Sequence, residues 1–201
     1  MSSTSAGSSA SHDLVLVVFA GRPGTGKTTT ARLLASRLQA AYVRTDTIAG
    51  AVLSGGVTRD PGEAGRVAYE VAREVASENL SAGVPVVIDG VQATHDRRGL
   101  WRRLAQDVGV RLVQIEVRLS DPVEHRRRIE DRQADGYPGP SWAEVAVFDY
   151  EEWDDLRDGD RLVVDTVAAE PALAQCLAYV TQLRPTTPEV GEDAGHRRVQ
   201  P

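Results

Sequence analysis

The segment Val15–Thr30, VLVVFAGRPGTGKTTT, restricts this chain more than any other. An apolar run from Leu14 to Ala20 gives way at Gly21 to a turn, and Gly24, Gly26, Lys27 and Thr28 complete the spacing G-x-x-x-x-G-K-T. A turn of this kind between a buried strand and a helix gathers consecutive backbone N–H groups, and a Cβ at Gly24 or Gly26 would obstruct an approaching anion. The pattern is the Walker A motif, or P-loop. Its residues Gly21, Arg22, Pro23, Gly24, Thr25, Gly26, Lys27, Thr28 and Thr29 form the predicted cradle for a nucleoside triphosphate. The dipole of the following helix adds positive potential at the same place. Lys27 supplies a mobile charge for the β- and γ-phosphates, and the Thr28 hydroxyl is set to ligate Mg²⁺.

Context supports the motif. After it, ARLLASRL carries apolar residues at Ala31, Leu34, Ala35 and Leu38, the spacing of a one-sided helix. Of 23 Lys and Arg residues only Lys27 is a lysine. A chain that uses arginine everywhere else keeps a compact ammonium where a planar guanidinium would not substitute.

The 201 residues, 41% hydrophobic and 26% charged, fit one α/β domain with a full core. A net charge of −6 argues against general nucleic-acid binding, which needs a basic surface. The one cysteine, Cys176, lies in the apolar pattern ALAQCLAYV and reads as a core thiol, which excludes an intrachain disulfide. No apolar run has the length of a membrane span, and the first residues lack the basic start and apolar core of a signal peptide, so the expected compartment is the cytoplasm. Residues 1–12 read as a disordered leader, 13–183 as the domain and 184–201 as a disordered tail.

Along the chain, residues 40–46 (AAYVRTD) read as a second strand with Asp46 at its carboxyl edge, where open α/β sheets bind ligands. A long helix is predicted from Glu63 to Leu80, with Val67, Val71, Val75 and Leu80 toward the core. PVVIDG (85–90) is a short buried strand ending in Asp89. That is the Walker B pattern, a carboxylate for Mg²⁺, with a turn or capping aspartate as the alternative. In the next loop and helix, Arg97, Arg98, Arg102 and Arg103 read mostly as a solvated face. Arg98, near the loop, is a candidate grip for an anionic substrate, and His95 reads as a surface histidine.

A fourth strand, 111–119, leads to SDPVEHRRRIEDR, where Asp121 caps and Pro122 opens a helix bearing Arg128 and Arg132 on one face. QADGYPGP breaks it, and Ser141 with Glu144 forms a capping box for a further helix over WAEVAVFDYEEWDDL. Helix, hinge and helix over about 121–157 read as a lid. Its arginines either meet the transferring phosphoryl group or form a basic face neutralised by Glu130 and Asp131. RLVVDT (161–166) is the fifth strand, followed by a helix from Pro171 to Leu183. The turn at Asp165 and Thr166 is a candidate border for the nucleotide base. Five strands alternating with helices imply a parallel sheet covered on both faces.

On GRPGTGKTTTARLLA, Asp46, VVIDG, SDPVEHRRRIEDR and RLVVDT, the chain resembles the small P-loop kinases related to shikimate and gluconate kinases, chloramphenicol phosphotransferase and the zeta toxins. More narrowly it is similar to a group of bacterial AAA family ATPases, over about residues 14–183. The resemblance implies a three-layer P-loop kinase fold with strand order 2-3-1-4-5, ATP and Mg²⁺ as cofactors, a closing lid, and transfer of a γ-phosphoryl group to a small hydroxylated acceptor. It implies a base role for Asp46 toward that hydroxyl and a phosphate contact for Arg128 or Arg132. No basic residue follows Asp46 within Thr47-Ile48-Ala49, and the shikimate kinase pattern of a second aspartate is replaced by Arg44-Thr45-Asp46. Shikimate is thereby disfavoured. A nucleotide, nucleoside or sugar-nucleotide kinase and a nucleotide-dependent ATPase switch are the alternatives, as monomer or homodimer.

Overall fold

The computed structural model describes residues 14–135 and 139–182. The expected leader (1–12), Gly-Tyr-Pro at 136–138 in the expected hinge, and the expected tail (184–201) lie outside the described residues.

The apolar run after Leu14 forms β1 (Val15–Ala20), buried at every position. It sits centrally in a five-stranded parallel sheet of order β2-β3-β1-β4-β5, with β2 (Ala41–Arg44), β3 (Val86–Asp89), β4 (Arg111–Arg118) and β5 (Leu162–Asp165). A strand buried on both faces must be apolar throughout, and alternate β1 residues enter two cores. Val15, Val17 and Phe19 pack with Leu34 of α1 (Lys27–Leu38) and Cys176 of α8 (Ala169–Gln182). Leu16 and Val18 pack with Ala72 of α3 (Pro61–Ser81) and Trp101 of α4 (His95–Val108). Cys176 is fully buried, which pushes its thiol up to about 12 and leaves it inert.

Three local expectations change. The buried face of α3 is Ala64, Ala68, Ala72 and Ala76 with Tyr69 and Leu80, whereas Val71 and Val75 are 40% and 37% exposed. Small residues let α3 approach its neighbours closely, so the valine row is displaced outward. The second strand stops at Arg44, and Asp46 lies in the first turn of α2 (Thr45–Ser54) rather than at a strand end. The helix expected over 142–156 divides into α6 (Trp142–Ala146) and α7 (Asp155–Asp158), although the Ser141–Glu144 capping box forms. The residues between them run under α4: Glu151 N donates to Ala93 O at 2.9 Å, and Arg98 draws in the carbonyls of Glu151 and Glu152.

That tie removes the later part of the expected lid from any hinge. Of the expected lid, α5 (Pro122–Ala134) stays against the Walker A turn, where Ile129 meets Gly24.

Candidate active site

β1 ends at the point in the sheet where successive strands are added on opposite sides, and the Walker A turn follows it. Two glycines there are fixed by protein neighbours as much as by ligand access. Gly21, at φ 131°, would bring a Cβ to 2.2 Å from Val117 O, and Gly24, at φ 82°, to 2.5 Å from the Ile129 side chain. The turn therefore carries its own conformation, seated against β4 and α5. His125, 8% exposed, adds a hydrogen bond from Nε2 to Pro23 O at 2.7 Å.

The turn delivers the chain into α1 through Gly26 at φ 90°, with no side-chain cap and no acidic residue in the first turn. The contrast with α3, α4, α5, α6 and α7 is informative. In each of those, an Asp, Thr or Ser side chain accepts from the first backbone N–H groups. At α1 those donors and the positive end of the helix are left to an external anion.

Lys27 opens α1, is 7% exposed, and reaches back to donate to Arg22 O at 2.7 Å. Burial lowers its ammonium from 10.5 to about 8. Asp89 and Asp46 oppose the shift, and Arg132 and Arg44 reinforce it. These charges meet in one cleft of about 710 Å³, which Thr28, Gly24 and Gly26 also line. The structure thus brings Lys27, Thr28, Asp46, Asp89 and Arg132 together from four separate segments.

Asp89 ends β3 opposite Arg44 in the ladder and is 2% exposed. Tyr42 Oη donates to its Oδ2 at 2.6 Å, and Arg44 Nε stands 3.6 Å from the same oxygen. Arg44 also pairs with Asp46 at 3.0 Å. Tyr42 and Arg44 were not foreseen as site residues. Their signal was the period of two, which sends both to one face of a strand otherwise apolar.

Among the described residues, no three His, Cys, Asp or Glu side chains gather as a metal cluster. Mg²⁺ beside a polyphosphate takes only one or two protein ligands, with phosphate and water completing the shell. The donor set of Thr28 and Asp89 fits that requirement. Asp89 is already oriented by Tyr42 and Arg44.

The two arginines of α5 part company. Arg132 is half-buried, lines the cleft, and forms no hydrogen bond or ion pair among the described residues. Arg128 instead pairs with Glu124 at 2.7 Å and donates to Thr166 O at 3.0 Å, at the turn expected to border the base. Arg126 and Arg127 pair with Glu130 and Asp131 as a solvated face. Thr166, 2% exposed, donates through Oγ1 to Thr25 O and so braces the Walker A turn. Asp165 accepts from Val167 N at 3.0 Å and lines a separate cavity of about 540 Å³ beside Arg22 and Thr25. Arg22 ties the turn to α6 and the residues just after it by donating to Val145 O at 3.4 Å and Phe148 O at 3.0 Å, and Thr29 is exposed on the first turn of α1.

Arg98 does not serve as a substrate grip. It is fully buried and donates to Asp158 Oδ2 at 2.8 Å, Gln92 O at 3.0 Å and Glu151 O at 2.5 Å, with Trp153 stacked 4.6 Å from its guanidinium. A buried guanidinium needs all of these partners, and they hold residues 151–158 to the body. Burial works to raise the Asp158 carboxyl, but hydrogen bonds from Arg157, Asp154 N and Arg98 prevail and hold it at about 2.

A family model, the AAA domain AAA_33, matches residues 16–152. The chain belongs to that family. Among solved structures it is similar to a candidate kinase of Chloroflexus aurantiacus j-10-fl, with 23% identity and TM-score 0.70 over 85% of this chain and 96% of that one. Kti12 of Chaetomium thermophilum, solved with ADP-AlF3, matches at 19% identity and TM-score 0.67 over 85% and 99%. A gluconokinase of Sinorhizobium meliloti 1021 matches at 16% and 0.59 over 86% and 94%. At these identities the likeness carries the fold, that of small P-loop kinases. No curated protein matches the sequence. Among the described residues no helix is long and apolar enough to cross a membrane.

Proposed function

We propose that the chain is an ATP-dependent kinase that transfers the γ-phosphoryl group of MgATP to a hydroxyl of a small molecule. The observation that carries this reading is the cleft itself. The N-terminus of α1, which follows a glycine turn and lacks a side-chain cap, opens into it beside Lys27, and a carboxylate, Asp46, lines the same cleft. The solved relatives named above as kinases support it.

In this mechanism the Walker A backbone and Lys27 hold the β- and γ-phosphates, and Thr28 and Asp89 hold Mg²⁺, which supplies charge neutralisation at the phosphate oxygens. The acceptor oxygen attacks Pγ, the bond from Pγ to the bridging oxygen of ADP breaks, and Asp46 orients the hydroxyl and takes its proton. Lys27 and Arg132 offset charge on the transferring group. Arg44 aims the Asp46 carboxylate, while Arg128 and Thr166 stand toward the base. Positioning and electrostatics carry the reaction, so no Cys, Ser or His nucleophile is needed.

A screen of alcohols for acceptor-dependent ADP release, read by mass for the gain of one phosphate, tests the assignment. With an acceptor in hand, Asp46→Asn lowers kcat about a hundredfold with the KM for ATP little changed. Undiminished transfer by that variant removes Asp46 as the base.

A further inference from the structure

Resting on the kinase reading, we infer that the acceptor is an uncharged molecule that carries its hydroxyl on an apolar body. The charged residues lining the cleft are Lys27, Arg44, Asp46, Asp89 and Arg132. Lys27, Asp89 and Arg132 sit with the Walker A turn, where a triphosphate and its metal use them. Arg44 lies between two carboxylates, 3.0 Å from Asp46 and 3.6 Å from Asp89, so its charge is compensated before any ligand arrives.

The opposite wall is α2 with Phe148. It presents Thr47, Ala49, Gly50, Leu53 and Ser54, none of them ionisable.

With Lys27 and Arg132 taken up by the triphosphate and Arg44 by its two carboxylates, an anionic acceptor would bring a carboxylate or phosphate toward Asp46 and the terminal phosphate of ATP with no further cation among the described cleft residues to receive it. A charge moved out of water without a partner is strongly disfavoured. A cationic acceptor would find only Asp46, already paired. Shape agrees with charge. A Cβ added at Gly50 meets nothing within 4 Å, so the space in front of it is open, and Leu53, one turn on, is 37% exposed. A ring or branched apolar group has both room and an apolar surface.

The test uses matched alcohols that differ in charge: 1-phenylethane-1,2-diol with mandelate, adenosine with AMP, and glucose with gluconate. Binding to the full chain saturated with Mg²⁺ and a non-hydrolysable ATP analogue is measured by calorimetry. The diol is expected to bind at least about tenfold more tightly than mandelate, and no anion more tightly than its neutral partner. Gly50→Arg, which places a guanidinium in the open space, is expected to narrow that ratio. Equal or tighter binding of the anions, failure of every neutral alcohol to bind, or a ratio unmoved by Gly50→Arg overturns the inference. The kinase reading fails separately, if a neutral alcohol binds in the cleft and gains no phosphate when ATP replaces the analogue.

Discussion

The two ends of the cleft are built from different materials. The phosphate end is mostly backbone: a turn whose glycines are packed against β4 and α5, leading into an α1 terminus with free donors. The proposed acceptor end is side chains on α2, a ten-residue helix in which only Thr45 is buried. Backbone donors persist through most substitutions, because changing a side chain leaves the N–H in place. Surface residues of a helix change at little cost to the fold. One end can therefore remain fixed in chemistry while the other is free to take a new acceptor.

Removing the buried ammonium that the proposed mechanism sets against the γ-phosphoryl group is the severest test of this contrast. Lys27→Ala is expected to lower phosphoryl transfer about a thousandfold, the scale of a lost transition-state donor, without lowering the melting temperature. Stability is retained because the lysine is a buried cation with a depressed pKa, which the fold tolerates rather than needs. If transfer fell less than about tenfold, the backbone alone would suffice and the assignment of Lys27 would be wrong. Arg132→Ala comes next, with an expected loss of about a hundredfold in kcat, read by ADP release at saturating ATP. Arg128→Ala sharpens the comparison, because a guanidinium bonded to Thr166 O acts on nucleotide binding, so KM for ATP should rise more than kcat falls.

The difference between the two ends also governs what the sequence discloses. The turn was legible in its glycine spacing and the parallel sheet in the alternation of strands and helices, while the strand order came from the resemblance to small P-loop kinases. Asp46, Asp89 and Arg132 were legible as candidates because each lies beside a recognisable boundary. Arg98 was not. On its own helix it reads as one of four solvated arginines, and it is buried only because residues 151–158, more than fifty positions later, fold back over it. The valine row of α3 misled for a related reason: periodicity identifies a stripe, but whether alanine or valine faces inward depends on how closely neighbouring helices approach. The acceptor wall stayed hidden because Thr47, Ala49, Gly50 and Leu53 carry no chemistry of their own until the fold sets them opposite Lys27.

The smallest expected effect separates the two ends by pH. Burial brings Lys27 to about 8 in the nucleotide-free protein. A bound triphosphate favours the ammonium and raises that value, so nucleotide binding takes up a proton whenever Lys27 is neutral beforehand. The affinity for ATP should therefore hold below pH 8 and fall about tenfold between pH 7 and pH 9. The stability linkage has the opposite sign. Because the folded value lies below the unfolded one, the unfolded chain binds more protons between about 8 and 10.5, and the contribution of Lys27 to stability rises with pH across that window. Lys27→Arg keeps its charge throughout and should give a flat, weaker binding profile over the same range. An uncharged acceptor meets no part of this titration directly, so its KM should stay level while that of ATP climbs. If both climbed together, the ammonium would be acting across the whole cleft, and its two ends could not be treated as separate.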